Sequence, residues 1–101
     1  MWRGTTPTNT FSLPEDISFD DFDVIFLTYS QHGTIVFEVG RDRMDVAGQT
    51  IQIVLTQAET LQFVPGAVQI QMRGRMKDGR AIASKVITTT AKEVLKDGEI
   101  R

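Results

Sequence analysis

The chain of 101 residues has no cysteine, and only one histidine, one tryptophan and one tyrosine. Without thiols there is no disulfide, no zinc–thiolate centre and no cysteine nucleophile. A single histidine, His32, leaves no paired-histidine spacing for zinc; between Gln31 and Gly33 it reads as an exposed turn residue with no orienting partner. No Ser or Thr stands in a nucleophile elbow, and no glycine-rich loop leads into the helix that a phosphate site needs. Apolar runs stay well short of the ~20 residues of a membrane-spanning helix. Met1 to Pro7 lacks the apolar stretch of a signal peptide. Small secreted domains are commonly rich in disulfides, so the missing cysteines favour an intracellular or virion setting.

Charge is also scarce in any concentrated form. The formal net charge is −2, which does not suit a nucleic-acid partner that would require a basic face. It is unevenly spread: residues 1–38 sum to −5 and residues 39–101 to +3. That asymmetry would suit contact between copies.

What the chain does have is alternation. Val68, Ile70, Met72, Gly74 and Met76 share one parity, and Gln69, Gln71, Arg73, Arg75 and Lys77 the other. Strand side chains point alternately to opposite faces, so this is a sheet with one buried and one wet side. Asp78-Gly79 supplies a tight turn, and Ala81 to Thr90 returns. Similar segments precede it. Thr8 to Leu13 is a strand stopped by Pro14, and Asp23 to Ser30, through Val24, Ile25, Phe26 and Leu27, reads as apolar on both sides. After the turn at Gln31-His32-Gly33, Thr34 to Val39 returns with Ile35, Phe37 and Val39 inward. Gly40 to Asp45 ends in a short edge pairing, Ala47-Gly48 turns, and Thr50 to Leu55 places Ile51, Ile53 and Leu55 inward. Thr56-Gln57-Ala58-Glu59 matches a capping box and starts a short helix over Gln57 to Phe63, with Leu61 and Phe63 plugging one end. Pro65-Gly66 ends it.

About seven short strands joined by Gly, Pro and Asx turns, with one short helix between them, predict an all-β antiparallel sandwich. Length fits one domain, residues 1–101, with short, flexible polar arms at 1–7 and 96–101 that are expected to make contacts between subunits. The acidic run Asp16, Asp20, Asp21 and Asp23 is the one candidate metal group. Calcium takes six to eight oxygens, the spacing departs from the helix-loop-helix calcium motif, and the interleaved Ile17, Phe19 and Phe22 read as packing anchors, so a solvated loop is the preferred reading. No cofactor is expected. Arg73, Arg75, Lys77 and Arg80, with Lys85 nearby, are the candidate partner contacts on the wet face of the last hairpin, against the plainer reading that they keep the sheet soluble. Gln52, Gln69 and Gln71 are expected to extend that polar surface. Trp2 either folds onto its own core or docks into a neighbour.

Several phrases of the chain carry a family resemblance. These are Arg3-Gly4-Thr5-Thr6-Pro7-Thr8, Leu27-Thr28-Tyr29-Ser30-Gln31, Leu55-Thr56-Gln57-Ala58-Glu59-Thr60-Leu61, Val68-Gln69-Ile70-Gln71-Met72-Arg73 with Lys77-Asp78-Gly79, and Val94-Leu95-Lys96-Asp97-Gly98. Together they resemble small proteins encoded in prophages of Gram-positive bacteria. The resemblance implies an immunoglobulin-like β-sandwich, similar to the N-terminal domain of phage baseplate upper proteins. It implies a non-enzymatic structural or adaptor protein of the tail or baseplate, found in the virion or in the host cytoplasm during assembly. Its partners would be other phage structural proteins or further copies of itself, with no nucleic acid, membrane or small-molecule substrate. The other reading is a carbohydrate- or cell-surface-binding module, for which Trp2, Tyr29 and the loop Asp16 to Asp23 are the candidate features.

Overall fold

The alternation around Val68 becomes the longest strand of the computed structural model, which describes all 101 residues. Eight strands form: β1 (Thr8–Ser12), β2 (Phe22–Gln31), β3 (Thr34–Gly40), β4 (Asp45–Ala47), β5 (Thr50–Val54), β6 (Gly66–Met76), β7 (Ala81–Ala83) and β8 (Ile87–Ala91). They build an antiparallel sandwich with a three-stranded sheet, β1-β5-β4, facing a five-stranded one, β3-β2-β6 with β7 and β8 both on the far side of β6. This order matches the B-E-D and C′-C-F-G pattern of immunoglobulin-like sandwiches.

The core lies between the sheets. Ile51, Ile53 and Leu55 from the β5 segment meet Ile25, Leu27 and Tyr29 of β2 and Val68, Ile70 and Met72 of β6. Tyr29 is fully buried, and its hydroxyl donates to the Asn9 Oδ1 of β1 at 2.8 Å, so one polar contact spans the two sheets. One end is closed by aromatic rings. Tyr29 stacks on Phe37 with centroids 4.7 Å apart, and Phe63 meets Phe37 at 5.4 Å.

The capping box forms as the sequence implies. Thr56 Oγ1 accepts from the Glu59 N–H, and Glu59 Oε1 accepts from the Thr56 N–H at 2.9 Å. The helix α1 spans Gln57–Leu61, shorter than the expected Gln57 to Phe63. Phe63 is buried, whereas Leu61 is half-buried beneath Gly4. Glu59 also accepts from both terminal nitrogens of Arg43, at 2.7 and 2.9 Å. That pairing, ahead of the cap, holds the Glu59 carboxyl below its ordinary range.

Four strand expectations need correction. First, Val24 and Phe26 are not covered. They point away from the core while Ile25 and Leu27 point in, so the apolar run of β2 has one buried face. Second, Ile35 is 58% exposed, because the β2–β3 register shifts by one residue between Tyr29 and Ser30 and reverses the parity near the turn. Third, the return from Asp78-Gly79 is split. Between Arg73↔Ala83 and Ile70↔Ile87 the returning chain gains one residue over β6, and Ser84 takes up the break by exchanging bonds with Met72. Fourth, Gln52 lies on the outer side of the three-stranded sheet, opposite Gln69 and Gln71, so these residues do not share a surface.

The terminal segments differ from each other. The Met1 amino group donates to the Thr90 carbonyl, Lys92 N to Met1 O, and Arg3 N to Lys92 O, giving a parallel bridge between Trp2 and Lys92. The Arg3 guanidinium donates to the Phe63 and Leu61 carbonyls and pairs with Glu93. Residues 96–101 touch the domain through Ile100, whose backbone exchanges bonds with the Gln57 side chain at 2.7 and 3.1 Å.

Two predictions follow from the packing. A Cβ at Gly74 would come within 2.7 Å of the Phe22 ring and 2.8 Å of the Val24 carbonyl oxygen. Because backbone cannot yield cheaply, Gly74→Ala is expected to cost about 1–3 kcal/mol in urea unfolding. Burial, reinforced by nearby Glu59, pushes the Tyr29 hydroxyl well above its ordinary value. A raised value means stability complete below the unfolded value of ~10 and lost as pH rises past it. Urea midpoints measured from pH 8 to 11 should therefore fall above about pH 10, and Tyr29→Phe should flatten that fall while costing about 0.5–1.5 kcal/mol at pH 7.

Candidate protein-contact face

The sandwich leaves the outer side of the five-stranded sheet open, and its side chains form a lattice set by strand pairing. Phe26 lies opposite Arg73 and Gly40; Thr28 opposite Gln71 and Glu38; Ser30 opposite Gln69 and Ile35. Each row runs across three strands, and adjacent rows are two residues apart along a strand, ~7 Å. The lattice encloses a shallow concavity of about 590 Å³.

The lining of this concavity mixes exposed apolar side chains with polar and charged ones. Phe26 is 45% exposed, and Ile35 and Val86 are about half exposed. Beside them Thr28 Oγ1 donates to Glu38 at 2.7 Å, and Gln71 Nε2 donates to the Ser84 carbonyl at 2.9 Å. These bonds hold polar side chains in place on a rigid sheet. Arg73 is exposed and takes part in none of the chain's salt bridges.

The candidate contact residues are thus brought together only in part. Arg73 sits in the concavity, beside Phe26. Arg75 is on the same face but pairs with Asp23 at 2.6 Å. Arg80 pairs with Asp78 at 2.8 Å; the Arg80 backbone N–H, and then its guanidinium, hold that carboxyl below its usual range. Lys77 borders a small hollow at the hairpin end with Asp21 and Asp78. Trp2 lies elsewhere, at the end of β8, 53% exposed with the Lys92 ammonium 5.1 Å from its ring.

The acidic run is dispersed. Asp21 accepts from the Ser18 N–H, Asp23 is held by Arg75, and nowhere do three metal-ligating side chains converge. Ile17, Phe19 and Phe22 pack on the core as anchors. Arg41 lies over Phe19 with its guanidinium 4.6 Å from the ring and donates to the Phe22 carbonyl.

Sequence reasoning missed the exposed apolar residues of this face, Phe26, Ile35 and Val86. A signal for Phe26 was present: Val24, Phe26, Thr28 and Ser30 share a parity that turns polar, which marks an outward face. Ile35 gave none, because a one-residue register shift leaves no mark in composition. Comparison with family models, with curated proteins and with solved structures finds no match.

Exposed ion pairs contribute little, ~0–1 kcal/mol. Arg75→Ala, which breaks such a pair, and Arg73→Ala, which breaks none, are expected to stay within about 0.5 kcal/mol of the parent in thermal melts, a larger loss showing instead that these side chains hold the fold.

Proposed function

We propose that this chain is a non-enzymatic structural or adaptor protein of a phage particle, associated with the tail or baseplate, that works through protein–protein contacts. Its partners are other phage structural proteins or further copies of itself, and it acts in the virion or in the host cytoplasm during assembly. The observation that carries the contact role is the outer face of the five-stranded sheet: exposed Phe26 and Ile35 flank hydrogen-bonded Thr28 and Gln71, with Arg73 unpaired beside them. Aromatic and arginine side chains on a preorganised surface are what protein interfaces concentrate. The phage setting is supported by the sequence resemblance.

A carbohydrate-binding module would use exposed aromatic rings for stacking. Tyr29 is fully buried in the core and is lost to that role, which leaves Trp2 of the two rings first considered. The contact reading therefore has the stronger support.

The test is quantitative mass spectrometry of particles purified after prophage induction in the source bacterium. Detection at a fixed ratio to the major tail protein is expected, the ratio indicating a ring, tube or baseplate position. A protein abundant in the lysate and absent from particles would reject the virion role.

A further inference from the structure

The concavity on the outer sheet face has a counterpart elsewhere on the same chain. Beyond β8, Glu93 is fixed by Arg3 at 2.5 Å, and Ile100 is fixed by Gln57 at 2.7 Å. Between these anchors the chain makes a loop, with Gly98 at φ +82. Leu95, on that loop, is fully exposed, the most solvent-accessible large apolar side chain of the protein. The tethered loop has lost backbone freedom while its aliphatic side chain has gained no burial. Asp97, two residues on, takes part in no salt bridge of its own chain.

We infer that the Leu95 loop of one copy docks in the outer-face concavity of a second copy. Leu95 enters between Phe26, Ile35 and Val86, and Asp97 reaches Arg73. The two surfaces are complementary in chemistry: an exposed aliphatic for exposed apolar neighbours, and an unpaired carboxylate for an unpaired guanidinium. They share no residue, and the anchors at Glu93 and Ile100 keep the loop with Arg3 and α1 rather than in its own concavity. Because the loop is tethered at both ends, docking forfeits less entropy than ordering a free tail would. The contact is heterologous, loop to concavity, so each copy retains one free surface of each kind and assembly continues into a ring or a filament.

The inference rests on the reading of the protein as a contact module, and the two fail separately. Particle composition tests the phage role, whereas the mass of the purified chain in solution tests the docking. Sedimentation velocity of the full chain from micromolar to millimolar concentration should show association beyond a dimer. Leu95→Asp lies outside every strand and should weaken that association by more than about tenfold. Ile35→Asp, at an exposed edge position, should do the same with an unchanged melting temperature. The two variants mixed in equal amounts should form dimers and stop there, because one keeps the concavity and the other the loop. A parent chain that is monomeric at millimolar concentration overturns the inference. Association untouched by Leu95→Asp, or a mixture that stays monomeric, overturns it equally. If Ile35→Asp melts early, Leu95→Asp decides the matter alone.

Discussion

The pairing of β2 with β6 holds the large sheet together. Eight residue pairs, from Phe22↔Met76 to Ser30↔Gln69, join the two longest strands, and every other strand of that sheet attaches to one of them. β3 hangs on β2, while β7 and β8 share the other edge of β6. Burial on one side of this pair fixes which side chains face water, so the core and the candidate contact face follow from the same parity. Where Ile25, Leu27, Val68, Ile70 and Met72 face in, Phe26, Thr28, Gln69, Gln71 and Arg73 have to face out.

Of the chain's ion pairs, Arg75–Asp23 alone joins an acid of residues 1–38 to a base of residues 39–101. Arg75 meets Asp23 across β6 and β2, Arg43 meets Glu59, and Arg41 lies over Phe19 while donating to the Phe22 carbonyl. Arg43–Glu59 lies within the rear half, and exposed pairs such as Arg75–Asp23 are individually weak. Arg73 stands apart from this accounting, which is why it carries more weight in a contact role than its neighbours Arg75 and Arg80.

Much of the fold was legible in the residues because it rests on local rules. Alternation placed Val68 through Met76 correctly, Thr56 and Glu59 announced the helix start, and His32-Gly33, both with positive φ, marked the β2–β3 turn. What stayed hidden depends on distant partners. The register shift opposite Tyr29, the break at Ser84 and the strand order are properties of pairings, which single segments do not encode. The contact face was half visible for the same reason: its charged residues announce themselves, but Phe26 and Ile35 look like core until their partners are known. The clasp of Arg3 on the Phe63 and Leu61 carbonyls had no signal at all.

The missing side chain at Gly74 bears on how the sandwich reaches its native alignment. Two long strands rich in alternating aliphatics could slide past one another by two residues and still bury one face. Such a slip would bring Met72 or Met76 under the Phe22 ring, where a Cβ has no room beside the ring and the Val24 carbonyl. Gly74 thus acts as a detent, giving the chain one position in which the Phe22 ring can seat. Specificity of strand alignment in this protein comes in part from an atom that is not there.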